Sequence, residues 1–343
     1  MHEIYRILDA NANRAREALR VIEDYARFAL DDAGLTARAK GLRSRLQTLL
    51  GRFDPQALLA ARDTPGDVGT TLSTETEKAR ADATAVLTAA FKRLSEALRT
   101  LEEYAKVVAP ESAGGFEQLR YETYDLEKRL MRRLHVAERF EDVRLYVLLT
   151  TAMCRRDVLD TARAAIDGGA GCIQLREKAM PDRDLLALAE RLRQVAEATG
   201  TLVIVNDRAD VAAAAGADGV HLGQDDLPVS AARRVLPGRS IVGVSTHTIA
   251  QARAAADAGA DYIGVGPMFP TATKDAGPIA GEAFLRQVVP ELSVPHVAIG
   301  GITVENVGRL VEAGARRVAV CSAVIAAADP AAAAAAIRRQ LPD

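Results

Sequence analysis

The chain has 343 residues, of which 49% are hydrophobic and 26% charged, and a length above roughly 250–300 residues predicts two domains. Its formal net charge of -2 argues against nucleic acid or a membrane surface as a partner, so anionic ligands must be held by local groups. The three cysteines form no CxxC pair and no apolar run is long enough to span a bilayer, so we expect a cytoplasmic protein without a zinc site or disulfide framework.

The first part of the chain carries a helical pattern with an internal repeat. Residues 17–20 read EALR, and the same letters recur at 96–99, an offset of 79 residues. Around both segments, apolar residues at steps of three and four mark one stripe of an α-helix. With partner helices near residues 35–50 and 116–135, the repeat predicts a duplicated helical hairpin packed as a bundle.

From residue 144 onward, short β-branched runs alternate with alanine-rich helical stretches, which is typical of βα units around a parallel sheet. Four helical stretches end at a glycine that can take the left-handed conformation of a helix end. Eight such units predict a (β/α)8 barrel, and no GxGxxG follows the first strand to favour an open doubly wound sheet. The predicted strands are residues 145–149, 172–175, 202–205, 219–222, 241–244, 262–265, 296–299 and 317–320. We therefore expect an all-α bundle at 1–140 and an α/β barrel at 141–343.

Polar side chains follow the predicted strands, at the end of a barrel where functional groups lie. Asp207 and Asp226 follow neighbouring strands and are hard oxygen ligands of the kind that Mg2+ accepts when it also binds a phosphate. Arg176, Lys178 and Lys274 are cations that can oppose a diphosphate, arginine through a bidentate fork and lysine as a point charge.

A second set of residues predicts a phosphate cradle on the other side of the barrel. Gly300 and Gly301 follow the seventh strand, and Ser322 follows the eighth, where backbone N–H groups and a helix N-terminus can face an anion. The sequence thus predicts a site for two phosphorylated ligands. A diphosphate with its metal would lie near strands two to five, and a monophosphate near strands six to eight.

Six short motifs resemble those of thiamine phosphate synthases, from about residue 144 to the end of the chain. They are, in order, Gln-x-Arg-x-Lys, Val-Asn-Asp, Gly-Val-His-Leu-Gly-Gln-x-Asp, Val-Ser-x-His, Pro-Thr-x-Thr-Lys and Ile-Gly-Gly-Ile. The resemblance implies a transferase that moves the hydroxymethylpyrimidine group from its diphosphate to the nitrogen of hydroxyethylthiazole phosphate, with Mg2+ assistance and release of diphosphate.

The same resemblance implies a role for each matching residue. Mg2+ would be bound by Asp207 and Asp226. The pyrimidine diphosphate would be held by Gln174, Leu175, Arg176, Glu177, Lys178, Asn206, Ser245 and Lys274, of which Arg176, Lys178, Ser245 and Lys274 would be catalytic. The thiazole phosphate would be held by Thr271, Ala272, Thr273, Gly301, Cys321 and Ser322. A thiazole nitrogen lone pair needs no general base, so His221 and His247 receive no proton-transfer role.

Several residues also have a purely structural interpretation. Asp207 and Asp226 could be helix N-caps, Lys178 could pair at the rim with Glu177 or Asp182, and His221 could be a packed strand-end residue. The rival functions are a thiazole-binding paralogue with a regulatory role and an isomerase of the ribulose-phosphate epimerase kind. A paralogue would be expected to lose the cations, and an isomerase would need an acid and a base facing one carbon.

The helical part resembles the domain fused ahead of some thiamine phosphate synthases and linked to phosphorylation of hydroxymethylpyrimidine phosphate. The resemblance rests on YRILDANANR at residues 5–14 and RDTPGD at 62–67, a segment that proline and glycine predict to be a loop. Phosphates and Mg2+ of an ATP-dependent reaction could be bound by Asn13, Asp24, Arg62, Asp63 and Asp67. There is no GxxxxGK[ST] loop, and the alternative is a purely structural bundle. The expected partners are small-molecule substrates, with ATP and a homo-oligomer as further possibilities.

Overall fold

The computed structural model describes residues 1–69, 79–140, 142–271 and 278–342. The chain divides into two compact units, Met1–Arg132 and Arg133–Asp343, and one long helix, Pro110–Phe140, contains the point of division. We predicted a boundary near residue 140 between two domains that fold separately, and this boundary stays a prediction. Within the described ranges, no helix combines the length and the apolar character that crossing a membrane requires.

The described residues of the first unit form helices and their connections. The helices are α1 (His2–Asp24), extended by a π-helical turn at Tyr25–Ala29, then α2 (Ala33–Leu50), α3 (Pro55–Ala61), α4 (Ala83–Val108) and the beginning of α5 (Pro110–Phe140). Aspartate side chains begin three of them, because Asp32, Asp54 and Asp82 accept backbone N–H bonds of 2.7–2.9 Å at the N-caps of α2, α3 and α4.

Equivalent residues of the two repeat copies, which are 79 positions apart, have similar environments. Leu19 of α1 and Leu98 of α4 are fully buried, and these two helices pack along each other. Glu23 and its counterpart Glu102 are also buried, and each pairs with an arginine of a partner helix at 3.1 Å. Each pair joins neighbouring helices, and removing either partner would leave a charge that is no longer compensated.

The second unit is a closed barrel of eight parallel strands in sequential order. The strands are β1 (Leu145–Leu149), β2 (Ala170–Leu175), β3 (Leu202–Asn206), β4 (Gly219–Leu222), β5 (Ile241–Thr246), β6 (Tyr262–Val265), β7 (His296–Ile299) and β8 (Val318–Val320). The predicted (β/α)8 fold is therefore confirmed, with strand bounds that differ from those predicted by no more than two residues.

Helices alternate with these strands and cover the outside of the barrel. They are α6 (Val158–Asp167), α7 (Asp182–Glu197), α8 (Ala209–Ala214), α9 (Val229–Val235), α10 (Ile249–Asp257), α11 (Gly281–Glu291), α12 (Val307–Glu312), α13 (Ser322–Ile325) and α14 (Pro330–Arg338), with a 3-10 turn at Thr151–Met153. The four glycines predicted to end helices, Gly169, Gly216, Gly259 and Gly314, all have positive φ, between 64° and 99°. Their left-handed conformation turns the chain from a helix toward the next strand.

The barrel interior is filled at the end where the strands begin. Phe140 packs against Tyr262 there, with ring centroids 4.9 Å apart, and Tyr146 lies beside both. Gly243 makes room for this packing, because a Cβ atom at that position would lie 2.1 Å from the Tyr262 ring. With this end closed by aromatic side chains, open space remains at the carboxyl ends of the strands.

Candidate active site

A cavity of about 320 Å3 lies at the carboxyl ends of the barrel strands, and all eight strands contribute to its wall. Nine of the predicted site residues line it: Gln174, Arg176, Asn206, Ser245, Thr271, Gly300, Gly301, Cys321 and Ser322. The structure therefore brings together residues that are up to 148 positions apart in sequence. None of the described cavity-lining residues is an aspartate or a glutamate.

Arg176 supplies positive charge to this cavity. It follows β2 directly, and its backbone is tied to the end of β1, because its N–H donates to Leu149 O and its carbonyl accepts from Thr150 Oγ1, both at 2.9 Å. In the part of the chain that the structure describes, no carboxylate lies within ion-pair distance of the Arg176 guanidinium. A cavity-lining arginine of this kind can bind the oxygens of a phosphate or diphosphate.

The two predicted metal ligands lie together. Asp226 accepts the Gly223 N–H at 2.6 Å, and burial, then the neighbouring Asp207 carboxyl, raise the pKa of Asp226. Asp207 follows the cavity-lining Asn206 and has a φ of 62°, a left-handed conformation that aspartate tolerates at some cost. The structural alternative paired Lys178 with Glu177 or Asp182 at the rim of the barrel. Lys178 instead contacts the Asp207 carboxylate.

This acidic pair fits a Mg2+ site that a ligand completes. Across the described ranges, no group of three or more His, Cys, Asp or Glu side chains could hold a metal ion. Mg2+ commonly takes one or two carboxylates and fills its shell with phosphate oxygens and water, so two carboxyls suffice. Neither Asp207 nor Asp226 is the N-cap of the helix that follows it, because the N-cap positions of α8 and α9 are Arg208 and Pro228.

The opposite side of the cavity is formed by close backbone approaches. Gly300 and Gly301 have φ of 106° and 65°, and a Cβ at Gly301 would lie 2.3 Å from Pro270 O, so only glycine fits there. Cys321 and Ser322 follow at the start of α13. Burial raises the pKa of Cys321 to about 11, which keeps this thiol protonated. Three further predicted residues, Ala272, Thr273 and Lys274, lie outside the described residues.

Three residues of the Gln-x-Arg-x-Lys segment, Leu175, Glu177 and Lys178, do not line the cavity. Leu175 is fully buried in the layer between the strands and the surrounding helices, as the alternation of side chains along a strand requires. Glu177 accepts the backbone N–H of Thr151 and so fixes the turn after β1. The side chains of Gln174 and Arg176, at the alternate positions, are the ones that reach the cavity.

The cavity-lining residues that were missed as site residues include Tyr146, His221 and Tyr262. They form hydrogen bonds with one another and with Gln174 and Ser245. His221 is buried at a strand end as expected, but both of its ring nitrogens are hydrogen-bonded, which goes beyond packing. The available signal was the period of two along each strand, which places all three side chains on the inner face of the barrel.

In the helical unit, the predicted residues only partly come together. Arg62 forms two hydrogen bonds of 2.7 and 2.8 Å with Asp9, a buried residue of α1 that sequence reasoning missed, and these raise the pKa of Arg62. Asn13 lies 3.5 Å from the same carboxylate, and Asp63 pairs with Arg6 at 3.9 Å.

The other two predicted residues of that set make separate local contacts. Asp24 pairs with Arg20 at 3.2 Å and lies about 16 Å from Asn13 along the axis of α1. Asp67 accepts the N–H of Gly69 at 2.9 Å within its own loop. One helix face therefore carries Asn13 and Asp24, but they cannot contact the same small ligand group.

Comparisons with known proteins cover both units. Residues 145–324 match the family model Thiamine monophosphate synthase, and residues 6–129 match the ThiD2 family. A thiamine-phosphate synthase of Nostoc punctiforme is 42% identical over 327 residues, covering 95% of this chain and 91% of that protein. One of a Synechocystis species is 42% identical over 338 residues, covering 98% and 96%. Among solved structures, a thiamine phosphate pyrophosphorylase from Pyrococcus furiosus is 37% identical with a TM-score of 0.55, covering 58% of this chain and 95% of that one.

Proposed function

Because this chain belongs to the thiamine monophosphate synthase family, we propose that its barrel joins hydroxymethylpyrimidine diphosphate to hydroxyethylthiazole phosphate, giving thiamine phosphate and diphosphate. The observation that carries the proposal is one cavity, lined by Arg176 after β2 and by the glycine pair after β7, with an acidic pair lying together after β3 and β4. An isomerase would need an acid and a base facing one carbon. The described cavity wall offers no carboxyl group for that role.

The pyrimidine diphosphate is proposed to bind on the side of β2 to β5. Arg176 opposes the negative charge that develops on the diphosphate as the carbon–oxygen bond breaks, while Gln174, Asn206 and Ser245 hold the ring. Lys178, beside Asp207, and Lys274 complete the cationic set in this proposal. Asp207 and Asp226 would hold Mg2+, which supplies further charge neutralisation for the leaving diphosphate when bound.

The thiazole phosphate is proposed to bind on the side of β6 to β8. The backbone at Gly301 and Ser322 faces its phosphate, with Thr271, Ala272, Thr273 and Cys321 around the ring. The thiazole nitrogen then attacks the electron-poor pyrimidine methylene carbon with its own lone pair. Since this nitrogen carries no proton, no residue has to remove one, and catalysis rests on positioning and charge neutralisation.

Product analysis tests this proposal. The intact chain, incubated with both substrates and Mg2+, should form thiamine phosphate and diphosphate in equal amounts, and removal of Mg2+ by a chelator should stop the reaction. Incubation with either substrate alone is the control. Failure to form thiamine phosphate from the two substrates with Mg2+ would show that the proposed reaction is wrong.

For the helical unit we propose that it phosphorylates hydroxymethylpyrimidine monophosphate with ATP and Mg2+ and so supplies the diphosphate. Its match to the ThiD2 family and the Asp9–Arg62 pair with Asn13 nearby support this proposal. Arg62 would cover a phosphate, and carboxylates of the set Asp24, Asp63 and Asp67 would contribute to Mg2+ binding. Asp24 has the weakest support, because of its distance along α1.

The intact chain supplied with ATP, Mg2+, thiazole phosphate and the pyrimidine monophosphate should make thiamine phosphate. Arg62→Ala should abolish this product, and the diphosphate given directly should restore it. Arg52→Ala, at an exposed arginine of the helical unit outside the proposed set, is the matched control and should retain most of the activity. If the wild-type chain makes product only from the diphosphate, the helical unit has no such kinase activity and the structural alternative stands.

A further inference from the structure

A chain of hydrogen bonds forms the floor of the barrel cavity. Gln174 Nε2 donates to Tyr146 Oη at 2.8 Å, and Tyr146 Oη lies 2.8 Å from Tyr262 Oη. Tyr262 Oη lies 2.9 Å from His221 Nδ1, and His221 Nε2 lies 2.9 Å from Ser245 Oγ. The two ends of this chain, Gln174 and Ser245, are polar groups of the proposed pyrimidine side. The three groups between them have no role in the proposed reaction.

The proton positions in this chain follow from counting donors. Burial raises the pKa values of Tyr146 and Tyr262 well above the ordinary tyrosine range, so each hydroxyl keeps its single proton. Because Gln174 already donates to Tyr146, the Tyr146 proton is directed to Tyr262, and the Tyr262 proton to Nδ1 of His221. His221 then carries its proton on Nε2 and donates it to Ser245. With the protons arranged in this order, every proton within the hydrogen-bond chain has an acceptor.

The reverse order leaves one proton without a good acceptor. If His221 donated from Nδ1 to Tyr262, Tyr262 would donate to Tyr146, which would then accept two hydrogen bonds. The Tyr146 proton would face the sulfur of Cys172, a weak acceptor that lies against it. A poorly satisfied buried hydroxyl disfavours this order by roughly five- to a hundred-fold.

We propose that Tyr146, Tyr262 and His221 are positioning residues that set the hydrogen-bonding polarity of the cavity wall for an aminopyrimidine. With its amide nitrogen engaged by Tyr146, Gln174 presents its carbonyl oxygen as an acceptor. With its oxygen engaged by His221, Ser245 presents its hydroxyl proton as a donor. The edge of a 4-aminopyrimidine is complementary, since its amine donates and its ring nitrogen accepts. A 4-oxopyrimidine has the opposite polarity and should be rejected.

This inference rests on the proposed function, because it assumes that the pyrimidine diphosphate binds in this cavity. Binding measurements on the intact chain test it, with Mg2+ present and thiazole phosphate absent. The dissociation constants of the 4-amino and the 4-oxo pyrimidine diphosphates are compared, so differences in chemical reactivity do not enter. Wild type should prefer the 4-amino compound by on the order of a hundred-fold, equivalent to two mismatched hydrogen bonds.

Tyr262→Phe removes the middle hydroxyl of the chain and should reduce this preference at least about ten-fold, with Tyr146→Phe as a second variant. The matched control is Tyr121→Phe. Tyr121 is an exposed tyrosine of the helical unit that donates to Glu117 at 3.0 Å, and its loss should leave the preference unchanged. A merely structural role for Tyr262 would instead weaken the binding of both ligands equally.

Nitrogen-15 NMR of the ligand-free chain gives an independent readout. His221 should carry its proton on Nε2 in wild type and should become a mixture of tautomers in Tyr262→Phe. An Nδ1–H tautomer in wild type, or an unchanged 4-amino preference in a folded Tyr262→Phe chain, would overturn the inference. Failure of the wild-type chain to bind either diphosphate would contradict the proposed function instead, while the tautomer would still report on the hydrogen-bond chain.

Discussion

The polar residues of the barrel and those of the helical unit have different partners. In the barrel, Arg176 and the ends of several strands point into one cavity, and the guanidinium has no carboxylate partner among the described residues. In the helical unit, the buried carboxylates of Glu23 and Glu102 are engaged with arginines of the same unit. Charges that are left for a ligand indicate a binding site, whereas charges that satisfy each other indicate how helices are held together.

Geometry explains this difference. Parallel strands end at one edge of a barrel, so residues from distant parts of the sequence meet there without any special spacing. A helix advances about 1.5 Å per residue, so residues on one face spread along its length. Asn13 and Asp24 share a face of α1 but lie about 16 Å apart along its axis. Asp24 therefore contacts Arg20 and not the Asp9–Arg62 pair.

The largest effect is expected at the acidic pair of the barrel. Asp207→Asn and Asp226→Asn should each lower turnover by about a thousand-fold, because they remove charge that holds Mg2+ at the leaving diphosphate. Asp225→Asn changes the exposed carboxyl next to Asp226 and should keep nearly full activity. Turnover of each variant, measured across a Mg2+ titration, tests whether the two aspartates bind the metal. Wild-type rates with wild-type Mg2+ dependence in both variants would rule out this assignment.

A large effect on stability, and not on barrel catalysis, is expected in the helical unit. Glu102 is buried and pairs with Arg99 and Arg120, at 2.8 and 3.1 Å. Glu102→Gln leaves the largely buried Arg120 without its carboxylate, whereas Arg99 keeps Glu103, and should lower the unfolding free energy by about 3 kcal/mol. Denaturant unfolding measures the loss, with the exposed Glu103→Gln as control. A stable Glu102→Gln chain with weakened substrate binding would instead assign this charge to a ligand site.

A variant on one side of the cavity should change the KM for one substrate and not for the other. Arg176→Ala should raise the KM for pyrimidine diphosphate by about ten- to a hundred-fold, because a charged hydrogen bond to the diphosphate is lost. Thr271→Val removes a cavity-lining hydroxyl from the thiazole side, so it should raise the KM for thiazole phosphate about ten-fold or less and leave that for the pyrimidine unchanged. Steady-state titration of each substrate tests this, and equal effects of both variants on both substrates would contradict a two-sided site.

The smallest expected effect is a pH dependence of barrel stability. Burial, then the charge of Arg317, lowers the pKa of His296 to about 4, while the unfolded chain keeps the ordinary value of about 6.5. The folded state therefore favours neutral His296, and the stability present above pH 6.5 is lost as the pH falls toward 4. Between about pH 6.5 and 4.5 the loss should be about 2 kcal/mol. His296→Gln should flatten this part of the unfolding profile, and the exposed His2→Gln should not.

Much of the barrel could be predicted from the sequence because its signals are local. Strands appear as β-branched runs, and Gly216 and Gly259 mark helix ends by a conformation that other residues rarely adopt. Arg176, Gly301 and Ser322 were predicted from their places after the strands, whereas the roles of Gln174, Asn206 and Ser245 came from the family resemblance. The Tyr146–Tyr262 contact could not be predicted in this way, because it depends on the space left by Gly243 on a third strand.

Interactions that depend on side-chain reach were also missed. Lys178 contacts Asp207 across two loops, a choice among several carboxylates that spacing does not determine. Asp9 is a buried residue of α1, whereas the predicted ligand groups Asn13 and Asp24 lie on a polar face of that helix. A buried aspartate on a helix is costly unless it is paired, and this was the signal that could have indicated a partner such as Arg62.

The central claim is that the residues after the strands surround one diphosphate–metal site, and a crystal structure of the intact chain with Mn2+ and a non-reactive pyrimidine diphosphate analogue tests it directly. Anomalous scattering locates the metal without reference to any assumed position. We expect Mn2+ to be bound by carboxylate oxygens of Asp207 and Asp226, with the diphosphate against Arg176 and the ring between Gln174 and Ser245. A metal peak away from both aspartates, or a diphosphate bound outside the cavity, would contradict the claim.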